Sequence, residues 1–144
     1  ITQLAHVTSE ATRLGMPVLA MAYARGPSVD GSDPEAVAHA VRLAEEVGAD
    51  VIKTSYTGDT ESFRRVVTGT ARPVVIAGGS KGTDRETLNM VRGAIEAGAA
   101  GVSMGRSIFQ HDDPEAITRA VSGVVHDDLT ATEAAELADL QLDS

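Results

Sequence analysis

Of the twelve basic residues in this 144-residue chain, ten are arginine and only Lys53 and Lys81 are lysine. Lys53 follows Val51 and Ile52 and precedes Thr54-Ser55-Tyr56-Thr57-Gly58, so it sits in a short apolar run. An amine in such a run loses the water that stabilises its charge, and the neutral form is the one that attacks a carbonyl carbon. Two other readings compete with it: a lysine that snorkels to the rim, or a fixed charge on a phosphate. Tyr23 offers a phenol that could relay a proton to a hydroxyl or carbinolamine, or it could simply pack with its OH on a backbone carbonyl. Tyr56 competes for the proton-relay role from farther into its loop. Arg25 could hold an anion or pair with an acidic surface. Gly78-Gly79 and Gly105-Arg106 could let backbone N–H groups approach an anion, aided by a following helix N-terminus. Each glycine pair alone could equally be a tight turn, and flavin-phosphate sites use the same device.

These residues share a position in the pattern. An amphipathic segment from Thr2 to Leu14 ends at Gly15 and is followed by the apolar run from Pro17 to Tyr23. Asp33-Pro34 opens a second helix as N-cap and first-turn proline, with Val37, Val41, Ala44 and Val47 on its apolar stripe. The remaining units read as a strand over 49–56, a helix over 60–68, a strand over 73–77, a helix over 84–97 and a strand over 100–104. A helix from Asp113-Pro114 through Val125 and a tail helix with a Thr130–Glu133 capping box complete the chain. Short strands without polar alternation, separated by helices, belong to a parallel sheet covered by helices. The idiom Glu46-Val47-Gly48-Ala49-Asp50 returns as Glu96-Ala97-Gly98-Ala99-Ala100. Repeated βα units predict an α/β fold, either a doubly wound sheet or a barrel. In a barrel the reacting groups gather at the C-terminal ends of strands. Tyr23-Ala24-Arg25, Lys53, Gly78-Gly79-Ser80-Lys81 and Gly105-Arg106 all fall there.

Composition removes several classes. No run of about 18 apolar residues is present to span a bilayer, and no signal-peptide pattern opens the chain. Cysteine is absent, which excludes thiolate chemistry. A net charge of −9 argues against nucleic acid as a partner. It is also what a salt-adapted cytosol would favour. His39 is expected on a helix surface or in helix packing, and His111 and His126 at helix ends without a functional role. Asp112-Asp113 and Asp127-Asp128 read as caps and solvated charge. No histidine or carboxylate spacing suggests a metal.

Taken with Lys53, Tyr23 and the glycine sites, the chain resembles the archaeal-type class I aldolases. The stretches that carry the likeness are Val18-Leu19-Ala20-Met21-Ala22-Tyr23 with Arg25-Gly26, and Gly48-Ala49-Asp50-Val51-Ile52-Lys53-Thr54-Ser55-Tyr56. Val75-Ile76-Ala77-Gly78-Gly79 and Gly105-Arg106-Ser107-Ile108-Phe109-Gln110 extend it. A fructose-bisphosphate branch of that family favours Trp-Ser-Tyr-Pro-Arg-Gly where this chain has Met21-Ala22-Tyr23-Ala24-Arg25-Gly26.

The resemblance implies a (β/α)8 TIM barrel of which residues 1–144 are the second half, about strands five to eight, with a tail helix from about residue 129. It implies that Lys53 is the Schiff-base lysine and Tyr23 the proton donor. Tyr23, Ala24, Arg25, Gly78, Gly79, Gly105 and Arg106 would contact substrate and its phosphate. The implied reaction cleaves 6-deoxy-5-ketofructose 1-phosphate through a lysine imine and transfers the three-carbon enamine to L-aspartate semialdehyde. Its product would feed 3-dehydroquinate and aromatic amino acids. No cofactor is needed, because the lysine imine is itself the electron sink. A cytoplasmic homo-oligomer is the implied setting. The family's first strand supplies an aspartate base that this chain lacks. The chain is therefore expected to be a fragment of a barrel of roughly 250 residues, inactive without the other half because two raw strand edges would be exposed. A fructose-bisphosphate aldolase and a phosphate- or FMN-binding half-barrel without aldolase activity are the alternatives.

Overall fold

The computed structural model describes residues 1–79 and 82–142; Ser80 and Lys81, at the end of the third strand's glycine loop, lie outside the described residues. Helices and strands alternate as α1 (Thr2–Arg13), β1 (Leu19–Met21), α2 (Pro34–Glu46), β2 (Val51–Thr54), α3 (Thr60–Thr68), β3 (Val74–Ala77), α4 (Asp84–Glu96) and β4 (Gly101–Ser103). A single turn, α5 (Arg106–Phe109), then leads to α6 (Pro114–His126) and α7 (Ala131–Leu137). The four strands form one parallel sheet in the order β1-β2-β3-β4, so each βα unit adds its strand beside the last.

Local chemistry sets most helix ends. Asp33 accepts from the Ala36 N–H ahead of Pro34, and Asp113 does the same for Ala116 ahead of Pro114. Thr130 and Glu133 form the expected capping box. Thr83 and Glu86 form a second one at the start of α4, so the orphan donors there are satisfied by the helix's own side chains. The shared helix-end idiom is explained by Gly48 and Gly98, both in left-handed conformation at φ +94° and +102°.

The strands are shorter than the apolar runs that contain them. Val18 and Pro73 lie just before their strands, and their carbonyls accept from the Val51 and Ile52 N–H groups of β2 at 3.2 and 3.0 Å. One face of the sheet is covered: Ala20, Ile52, Val74 and Ile76 pack with Val37, Val41, Phe63 and Val66 from α2 and α3. A second cluster joins Leu88 and Val91 of α4 to Ile117, Ala120 and Val124 of α6 and to Ala134 of α7. Ile95 and Val102 touch both clusters. The opposite face carries Leu19, Met21, Val51, Lys53 and Val75; Leu19 is 47% exposed and Met21 69%. Among the described residues no helix is long and apolar enough to cross a membrane.

Candidate active site

The strand register explains how the proposed reactive side chains meet. Met21, Lys53, Val75 and Gly101 lie side by side across the sheet. Two residues further along each strand, on the same uncovered face, come Tyr23, Ser55, Ala77 and Ser103. Lys53 therefore stands between two apolar neighbours, one step below a row that includes a phenol and two hydroxyls. Among the described residues Lys53 has no hydrogen-bond or ion-pair partner, so its amine is not tied to a carboxylate. The end of β1 is held against β2 by two bonds: the Ala22 N–H donates to the Lys53 carbonyl at 2.8 Å, and the buried Thr54 hydroxyl donates to the Ala22 carbonyl at 2.8 Å. Because Ala22 and Tyr23 are adjacent, this anchor fixes where the phenol leaves the sheet.

An open cleft of about 430 Å³ lies over the strand ends. Tyr23, Arg25, Lys53, Gly78, Gly79, Gly105 and Arg106 all line it. Ala24 lines an adjoining cavity of about 350 Å³ under the β1–α2 loop, which shares Tyr23, Arg25 and Ser55 with the first. Ser55, Ala77, Ser103 and Phe109 complete the main cleft. Ser55 and Ser103 were not singled out from the sequence. The usable signal was their period-two spacing and their polarity at the ends of apolar strands.

Among the described residues three cations, Arg25, Lys53 and Arg106, face this cleft and no carboxylate lines it, in a chain whose net charge is −9. Such a local reversal of sign concentrates anions. The glycine loops line one end of it. A side chain at Gly78 would meet the Ser107 Oγ at 3.1 Å and the Met104 side chain at 3.2 Å, so any larger residue would push the two loops apart by a few tenths of an ångström. The Ser107 hydroxyl donates to the Gly78 carbonyl at 3.1 Å, and Arg106 donates to the Gly79 carbonyl at 3.2 Å. Two carbonyl oxygens that would repel a phosphate are thus occupied. The helix after Gly105 is a single turn, and the start of α4 is filled by its own capping box. An anion here would be held by loop backbone and Arg106 rather than by a long helix dipole.

Tyr56 is placed elsewhere. Its ring packs edge-on against Phe63 at 5.2 Å, on the helix-covered side of the sheet. Burial pushes its phenol up from the ordinary value, against a hydrogen bond to Thr60 that lowers it. The structure thereby leaves Tyr23 as the phenol in the cleft. Arg25 lies over the Tyr23 ring at 5.6 Å, a cation–π contact that keeps both at the same rim. His39 and His126 are exposed. Among the described residues no group of three histidines and carboxylates could hold a metal ion.

Residues 1–111 match the DeoC/LacD family of aldolases. The chain belongs to that family. It is 62% identical, over all 144 residues, to the 2-amino-3,7-dideoxy-D-threo-hept-6-ulosonate synthase of Halobacterium salinarum, of which it covers 54%. It is 41% identical over 128 residues, 88% of the chain and 47% of the relative, to a 2-amino-4,5-dihydroxy-6-oxo-7-(phosphonooxy)heptanoate synthase of Streptomyces griseus. It superposes with a TM-score of 0.81 on an archaeal fructose-1,6-bisphosphate aldolase whose catalytic Lys is covalently bound to the carbinolamine intermediate of its substrate. That match is 36% identical and covers 85% of this chain and 50% of the aldolase. The chain thus spans about half the length of the relatives it matches. Its four parallel strands and their helices correspond to half of a TIM-barrel aldolase.

Proposed function

We propose that this chain is the strand-five-to-eight half of a Schiff-base aldolase barrel, and that the barrel acts as a 2-amino-3,7-dideoxy-D-threo-hept-6-ulosonate synthase. The observation that carries the reading is Lys53 beside Tyr23, without a partner among the described residues, in a cleft that these residues line with three cations and no carboxylate. The identity of 62% with the Halobacterium synthase supports the choice of reaction.

The chemistry follows from the residues. The phosphate of 6-deoxy-5-ketofructose 1-phosphate would sit at Gly78, Gly79, Gly105 and Arg106. The Lys53 Nζ attacks the ketone carbon, the carbonyl oxygen leaves as water, and a protonated imine remains. The β-hydroxyl then loses its proton and the bond between the α and β carbons breaks, its electron pair flowing toward the imine, which gives an enamine on Lys53 and releases the β carbon as an aldehyde. The enamine carbon attacks the aldehyde of L-aspartate semialdehyde, and water returns to free the lysine. Tyr23 moves the proton at the oxygen of the carbinolamine and of the alkoxide. No metal or organic cofactor takes part, because the imine is the electron sink. Tyr23, Ala24 and Arg25 contact the substrate at the opposite rim.

The open β1 and β4 edges and the exposed Leu19 and Met21 call for the other four βα units, which would close the barrel and bring its carboxylate base. The setting would be a cytoplasmic homo-oligomer. The test is turnover by the full-length barrel, with product identified by mass spectrometry. The synthase reading requires both the ketose phosphate and aspartate semialdehyde. Cleavage of fructose 1,6-bisphosphate without that acceptor would replace it by the simple aldolase. Phosphate binding without turnover, or a bound yellow flavin, would replace both.

A further inference from the structure

The ring of His111 sits behind the glycine-loop end of the cleft, outside its lining, with its side chain 15% exposed. Its Nδ1 lies 2.9 Å from the Asp113 backbone nitrogen and 2.7 Å from the Asp113 carbonyl oxygen. Nε2 lies 3.0 Å from the Asp84 Oδ1, a carboxylate whose side chain is 25% exposed. Asp84 is the first residue of α4, where the chain returns from the Gly78-Gly79 loop. His111 lies just beyond α5, where it returns from the Gly105-Arg106 loop. On the outgoing side the same two loops are joined by Ser107 to Gly78 and by Arg106 to Gly79.

We propose that His111, through Asp84, is a positioning residue that sets the spacing of the two glycine loops and so the affinity of the site for a phosphoryl group. The inference rests on the aldolase reading for its substrate but not for its geometry. The loops are tied at both ends, and the two outgoing ties alone would let the gap widen by hinging about Gly79 and Gly105. Neither glycine has a side chain to resist such a hinge. The His111–Asp84 pair closes the far side, and its Asp84 half draws on little else in the fold: Thr83 and Glu86 cap α4 without Asp84, whereas the His111 ring also meets the backbone of Asp113, the N-cap of α6. The loss of Asp84 should therefore change the phosphate grip more than the fold.

The experiment uses the full-length barrel with His111→Ala, His111→Gln and Asp84→Ala, and with the exposed His126→Ala as control. Inorganic phosphate binding and steady-state kinetics on the ketose phosphate are both measured. His111→Ala and Asp84→Ala should weaken phosphate binding and raise the donor KM by about tenfold, since small misplacements of a binding group cost this much or more. The kcat at saturating donor and the borohydride adduct on Lys53 should stay within about twofold, as expected when ground and transition states lose the same contact. The Gln variant, whose amide can still donate to Asp84, should recover most of the affinity. Unchanged phosphate binding in both alanine variants would overturn the proposal, as would a fall in kcat and melting temperature at constant KM. Should His111→Ala not fold, Asp84→Ala decides by the same readings. If the unsubstituted protein forms no lysine adduct, the aldolase reading fails, while phosphate binding still decides the fate of His111.

Discussion

Along β2 two sets of side chains share one backbone and meet opposite fates. Ile52 and Thr54 are fully buried against the helices. Val51, Lys53 and the following Ser55 face the other way and keep contact with solvent. Tyr56, just past the strand, has turned to the helix side and packs on Phe63, whereas Tyr23 at the end of β1 lines the cleft. The buried face spends its residues on packing, and the open face holds the groups with chemistry. A one-residue slip of β2 against its neighbours would turn Lys53 toward the helices and Ile52 out, so the packed face specifies which side chains line the cleft.

Substitutions on the two faces should therefore separate function from stability. The largest effect belongs to Lys53→Met, which should reduce turnover of the full-length barrel to background while the circular dichroism and melting temperature stay close to those of the parent. Tyr23→Phe comes next, with a fall in kcat of about 10²–10⁴-fold, the usual share of a positioned proton donor, and with the lysine adduct still trappable. On the buried face Ile52→Ala should leave the surviving folded enzyme active but cost about 2–5 kcal/mol in denaturant unfolding. Thr54→Val strands the Ala22 carbonyl and should cost about 1–3 kcal/mol, with a modest loss of kcat because the anchor of Tyr23 loosens. Tyr56→Phe is the mildest, at about 1 kcal/mol for the lost bond to Thr60 and an unchanged kcat. A Tyr56→Phe variant as inactive as Tyr23→Phe would erase the distinction between the faces.

Much of this contrast is legible in the sequence, for a physical reason. Lysine is rare in this chain and arginine is not, so Lys53 within an apolar strand is conspicuous. Asp33-Pro34, Asp113-Pro114 and the Gly48 and Gly98 helix ends encode their geometry in a few adjacent residues. What depends on packing is less visible. The short turn at Arg106–Phe109 is too brief for a periodic pattern, and the Thr83–Glu86 capping box is bounded by glycine-rich sequence that reads as loop. The choice between Tyr23 and Tyr56 turns on which side of the sheet each ring leaves from, and only the register decides it. His111 reads as an idle helix-end histidine because its partner, Asp84, is 27 residues away along the chain. The Gly78–Ser107 approach is likewise a tertiary contact, although Gly78-Gly79 announces that something must come close.

The proposed chemistry depends on the Lys53 amine forming the imine. Borohydride reduction of the full-length barrel with the ketose phosphate, followed by peptide mass mapping, tests it most directly. One reduced adduct is expected, of the mass of the donor's three-carbon or six-carbon imine, on the peptide that contains Lys53, and none in Lys53→Met. An adduct on another lysine, or turnover that persists in Lys53→Met with no adduct at all, would contradict it.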